Sequence, residues 1–208
     1  MLLWQFISIY ISVIISEILS NSNSILFTVC YIGTFCILNG LTLSDILPKQ
    51  QLSLQMIIVP ILALIFASGN NTLNTSNIFN SLLVESIASA IVEEALFRQL
   101  IPNNFANKYK GIFISGILFA IIHIKSLNID TNILIKIFIV SMLFNILMFQ
   151  AKPNNIIYHF MWNFITLTLF KSTDINNTTI TNIELSNNTI IILAFTIFLN
   201  GINILNSA

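Results

Sequence analysis

Charge is what this sequence is short of. Of its 208 residues eight are Lys or Arg and eight are Asp or Glu, only 8% of the chain. A soluble domain carries roughly 25%, so there is too little charge here to cover a surface that faces water. The formal net charge is zero, the sequence pI is near 6.7, and no basic run occurs, so no nucleic-acid partner is indicated. Cysteine is equally scarce. Cys30 and Cys36 stand six apart in one apolar segment, where a helix turns them to different faces, so neither a disulfide framework nor a thiolate metal site is implied. The N-terminus lacks the positive start of a secretory signal and its apolar run is too long for one, which predicts a retained first span. The end of the chain, Leu205 to Ala208, carries no lipidation cysteine.

What the sequence has instead is apolar length: 56% of residues are hydrophobic and the mean hydropathy is +0.89. A span needs roughly 17–25 mostly apolar residues. That rule predicts an all-α fold, a polytopic membrane helix bundle of about eight transmembrane helices. They fall near 2–20, 24–43, 52–68, 78–102, 111–127, 132–150, 154–171 and 189–206. Pro48, Gly69, Pro102, Gly111 and Pro153 lie at or near the breaks, and Pro60 should kink the third helix. The organisation expected is N-terminal helices over 1–77, a core over 78–171, and a polar loop with a last helix over 172–208. Lys49, Lys108, Lys110 and Lys152 fall on the side shared by both termini, Lys125, Lys136 and Lys171 on the other; four against three favours cytoplasmic termini.

Ionisable residues inside such spans cost about 2.5–3.5 kcal/mol each at mid-bilayer on the mildest scale, so they begin as functional candidates. Glu93, Glu94 and Arg98 stand in the fourth predicted helix. His123 lies in the fifth and His159 in the seventh, and these are the only two histidines of the chain. Glu94 and Arg98, four apart, share a helix face and can pair. Their bland reading is a buried ion pair that fixes packing. Glu93 is turned about 100° from Glu94, which leaves its carboxylate to face another group. His159 and Asn163 are again four apart and address one cavity, although Asn also serves as interhelical glue. Glu17 and Glu85 stand outside these groupings, and Trp4 reads as an interface anchor.

One free carboxylate, two imidazoles and an amide suit hydrolysis of a carbonyl. The carboxylate takes a proton from water, and an imidazole and an amide N–H stabilise the oxyanion. Alternatively Glu93, His123 and His159 match a three-ligand catalytic metal site, such as zinc, with water in the fourth position.

The pattern Glu93-Glu94-x-x-x-Arg98, Phe119-x-x-x-His123 and His159-x-x-x-Asn163, on three separate predicted helices, resembles the CPBP family of intramembrane proteases. This is the type II CAAX prenyl endopeptidase (Abi-like) family. The resemblance covers roughly residues 80–170 and implies about eight transmembrane helices and an intramembrane endopeptidase acting on a peptide or protein substrate. By motif, Glu93 and His123 would activate water, His159 and Asn163 would hold the oxyanion, and Glu94 and Arg98 would support them. A divalent metal would be the only cofactor in question. Departures are Gln99, where relatives commonly have glycine, and a sixth helix with Ser141 and Asn145 but no glycine. The alternatives are a catalytically silent homologue, serving bacteriocin immunity or scaffolding, and a small proton- or ion-coupled transporter. The helices that carry the cluster show neither the internal repeats nor the broken spans of transporters.

Overall fold

The computed structural model describes residues 1–46, 58–59, 61–62, 86–124, 129–151, 154–169 and 186–206. Among these the protein is all-helical, with no strand. Helix α1 covers Leu2–Ser20, α2 Ser24–Asn39, and α3 is a single turn at Leu43–Ile46. Helix α4, Ser89–Ala95, runs into a π-helical stretch at Leu96–Leu100 and a 3₁₀ turn at Pro102–Asn104. Helices α5 (Lys108–Ile122), α6 (Thr131–Gln150), α7 (Asn155–Asn163, continued by a π-helix over Phe164–Leu169) and α8 (Asn187–Asn206) follow.

Local chemistry sets these limits. α2 stops at Asn39 because Gly40 takes the left-handed conformation, with φ of 63°. That is four residues before the expected end at 43. Asn107 caps α5 by accepting from Lys110 N at 3.1 Å. The helix therefore begins three residues before Gly111, the expected first residue. Gly111 lies inside the helix because a Cβ there would meet the Cα and O of Pro102 at 2.9 Å, so it is a contact point between α5 and the end of α4. Asp130 caps α6 through Asn132 N and Ile133 N at 2.8 and 3.3 Å.

Two helices are long and apolar enough to cross a membrane, α1 and α6, while α2 and the Asn187–Asn200 part of α8 are apolar but shorter. The expected eight full spans are therefore not what the described residues display. α5, with 15 residues, is about 22 Å long at 1.5 Å per residue and falls short of a bilayer core of about 30 Å. Most of the expected third helix, Pro48, Pro60, Gly69, Glu85, Pro153 and Lys49, Lys125, Lys152 and Lys171 lie outside the described residues. The expected boundaries at 77/78 and 171/172, and most of the 173–188 loop, lie there too.

α1 and α2 form an antiparallel hairpin through a turn in which Asn21 and Ser22 both have positive φ. The face of α1 that is buried carries Gln5, Ser8, Ser12, Ser16 and Ser20. Its hydroxyls are satisfied on their own helix: Ser12 Oγ donates to Ser8 O at 2.7 Å and Ser16 Oγ to Ser12 O at 2.6 Å. Small, self-satisfied side chains let two helix backbones approach. Asn39 Nδ2 donates across the hairpin to Ser8 Oγ at 2.9 Å, and Trp4 Nε1 to Leu38 O at 2.9 Å. Trp4 is thus tied to α2 as well as standing near the end of its own helix. Asn104 Nδ2 donates to Gln5 Oε1 at 2.7 Å and docks the end of the α4 segment on the start of α1.

Of the two polar residues noted in the sixth helix, both buried, Asn145 bonds to α5. Asn145 Nδ2 donates to Ile112 O at 2.8 Å. The small residues that permit this approach are on α5: Ser115 is fully buried, and a Cβ at Gly116 would collide with Met142 of α6. Ser115 Oγ also donates to Phe97 O, which joins α5 to the π-helical stretch.

Candidate active site

α4 brings Glu93 and Glu94 to the middle of this arrangement. Glu94 and Arg98 pair along the helix, with Arg98 Nε 3.5 Å from Glu94 Oε2 and both side chains fully buried. The guanidinium lies over the ring of Phe119 at 4.5 Å from its centroid and is 5.8 Å from that of Phe144. Aromatic faces are among the few apolar surfaces that attract a cation, which explains how Arg98 is accommodated away from water.

α7 supplies the opposing groups. His159 Nδ1 is 2.7 Å from Glu94 Oε1, and Asn155 Nδ2 donates to Glu94 Oε2 at 2.7 Å. His159 Nε2, on the other side of the ring, is 3.7 Å from Glu93 Oε2. The imidazole is therefore set between two carboxylates, one inaccessible and one with 13% of its side chain exposed. A gap of 3.7 Å is too long for a direct hydrogen bond but within reach of a water touching both atoms. Asn163, one turn beyond His159, donates through Nδ2 to Ser89 Oγ at 3.1 Å.

Aromatic rings close the far side. His159 stands edge-on to Phe144 and Phe119, with centroids 4.9 and 6.2 Å apart. His123 is the C-cap of α5 and not inside the helix as expected, because the helix ends at Ile122 and the expected span ran to 127. Its Nδ1 is 2.7 Å from Phe119 O and its ring lies 4.6 Å from that of Phe119. One phenyl ring thus touches both imidazoles.

The structure brings Glu93, Glu94, Arg98 and His159 into direct contact, places Asn163 one turn away, and links His123 to them through Phe119. Two participants were not foreseen, Asn155 and Ser89. Asn155 could have been found, since Asn155, His159 and Asn163 recur every four residues on one face of α7. Ser89 lies four residues before Glu93, a weaker signal. The larger surprise is Glu94, expected to serve Arg98 and found to hold His159 and Asn155 as well.

The metal alternative fits this arrangement poorly. Among the described residues no group of three His, Cys, Asp or Glu side chains is disposed to hold a metal ion, and His159 Nδ1 is committed to Glu94.

Residues 75–165, somewhat under half of the chain, match the family model described as Type II CAAX prenyl endopeptidase Rce1-like. That match supports the CPBP/CAAX protease family. The Rce1-like segment contains every residue of the three motifs, from Glu93 to Asn163. It also contains Ser89 and Asn155, so the whole cluster lies inside it. No curated protein and no solved structure matches the chain.

Proposed function

We propose that the protein is an intramembrane endopeptidase that hydrolyses a peptide bond at or within the bilayer, using a water activated by Glu93 with histidine assistance. The observation that carries this reading is the imidazole of His159 held by Glu94 on one side and facing Glu93 across 3.7 Å on the other. In the reaction Glu93 accepts a proton from water as the oxygen attacks the carbonyl carbon. His159 in its doubly protonated form, with Nδ1–H held by Glu94 and Nε2–H free to donate, and the Asn163 amide, held by Ser89, stabilise the oxyanion. The C–N bond breaks as the proton passes to the leaving amine. His123 assists the water from the end of α5, a role that rests on the family pattern Phe119-x-x-x-His123. The protein would be a multi-pass resident of the cell membrane with both termini cytoplasmic, and its substrate a membrane-associated peptide or protein.

A second reading, a homologue without proteolysis that serves immunity or scaffolding, is favoured by the Glu94 network, which would lock α4 to α7 with no chemistry at all. Comparing the membrane proteome of cells carrying the parent with that of cells carrying Glu93→Ala separates the two. New peptide termini confined to the parent support the protease. Identical termini, together with an unaltered biological effect of Glu93→Ala, would remove it in favour of the scaffold.

A further inference from the structure

The four-residue ladder on α7 begins one turn before the motif histidine, and its first member has no part in the hydrolytic reading given above. Asn155 is 2% exposed, and its amide donates to Glu94 Oε2, the oxygen that also faces Arg98 Nε. A carboxylate that accepts an amide N–H beside a guanidinium is an ionised acceptor. Its second oxygen, Oε1, is left to the ring nitrogen of His159 at 2.7 Å. An acceptor there requires a proton on that ring nitrogen.

We infer that Asn155 is a positioning residue that sets the tautomer of His159 through Glu94, keeping a proton on Nδ1 and turning Nε2 toward Glu93 as the nitrogen that gains and loses a proton. The amide donor and the Arg98 cation on Oε2 together fix the plane of the carboxylate. Without Asn155 the carboxylate can rotate about its bond to the chain and the imidazole loses its fixed acceptor. The same amide on the outer face of α7 would do nothing; at 2.7 Å from a buried carboxylate it selects one nitrogen of the ring. The catalytic consequence rests on the endopeptidase reading, but the tautomer does not.

Because the chain has only two histidines, the test is direct. The full chain is labelled with ¹⁵N-histidine and reconstituted in lipid bilayers, and His123→Gln identifies the resonances of His159. At a pH where the ring is neutral, the parent should show Nδ1 protonated and Nε2 as the unprotonated nitrogen. Asn155→Leu, similar in volume but without the N–H, should show both tautomers. Asn155→Ser, which removes the amide and adds no bulk, serves if the leucine disturbs folding. On a cleaved peptide either variant should lower kcat about tenfold with KM unchanged, the size of one hydrogen bond to a charged group, and should shift the pH–rate profile. A parent spectrum with Nε2 protonated, or variants with the parent's tautomer, would overturn the inference. A fixed tautomer in a protein that cuts nothing would leave it standing and remove the endopeptidase reading instead.

Discussion

The Nδ1 of His159 meets Oε1 of Glu94 at 2.7 Å across 65 residues of chain. This contact joins the end of α4 to the middle of α7, and Arg98 and Asn155 gather around it. The motif arginine, the second glutamate and the second histidine are parts of one network, in which Glu94 is shared.

Glu94 should therefore be the most stability-sensitive member of the cluster. Glu94→Ala strips the carboxylate from Arg98, His159 and Asn155 together and should cost about 3–5 kcal/mol, the range for breaking a buried pair from one side. Glu94→Met combined with Arg98→Met should recover most of that loss without restoring activity. Thermal unfolding in detergent, followed by helical circular dichroism, reports both, and a double variant no better than the single one would contradict this picture.

Glu93 should behave in the opposite way. It faces a partially open space, so Glu93→Gln should leave the unfolding temperature within a few degrees of the parent and lower cleavage by about 10²–10⁴-fold, the usual weight of a general base. Cleavage of a reconstituted membrane peptide at the parent rate would show that the base lies elsewhere.

Glycine contacts offer a test of packing that is independent of the chemistry. Gly111→Ala places a methyl group 2.9 Å from backbone atoms of Pro102 and should destabilise by about 1–3 kcal/mol. Gly33→Ala in α2 has nothing within 4 Å of the new Cβ and should be neutral or stabilising by up to about 1 kcal/mol. Equal unfolding temperatures for the two variants would refute the close approach of α5 to the end of α4.

One pH effect belongs outside the spanning helices. Asp45 in the turn α3 accepts from Thr42 Oγ1 at 2.6 Å and from Thr42 N at 2.7 Å. These bonds hold its carboxyl below the ordinary aspartate value. A carboxylate depressed in the folded state contributes stability above its unfolded pKa, and that contribution fades as the pH falls through the folded one. Thr42→Ala should bring the Asp45 titration, read by carboxyl ¹³C shifts, back up toward the usual range. An unmoved titration would mean that the two bonds do not form in solution.

The sequence made some of this legible and hid the rest for physical reasons. Hydrophobic length gave α1 to the residue, and α6 and α8 to within one or two at their starts, because each is a long and mostly apolar run. It overran α2, where a left-handed Gly40 stops the helix inside an apolar stretch, and α5, where His123 ends a run that hydropathy alone carries to 127. Helical spacing gave the Glu94–Arg98 pair, since both residues share one helix. Spacing cannot say which face of α4 meets which face of α7, so the bond from Glu94 to His159 was out of its reach. Asn155 was overlooked for a simpler reason: in a chain so rich in asparagine, one more carries no weight until its partner is seen.

The π-helical stretch at Leu96–Leu100 is closed by Ile101 N bonding to Leu96 O at 2.9 Å, five residues back. Such a turn holds one residue more than an α-helical path needs. Deleting a single residue there would let the backbone close as ordinary α-helix with the downstream residues keeping their bearing, whereas forcing the same residues into α-helical turns would swing everything downstream by about 100°. In that second case Asn104 would leave Gln5 and Pro102 would leave Gly111, yet Glu93 and Glu94, which precede the stretch, would keep their bearing on α7. The wide turn thus separates the placing of the two carboxylates from the docking of the end of α4 on its neighbours.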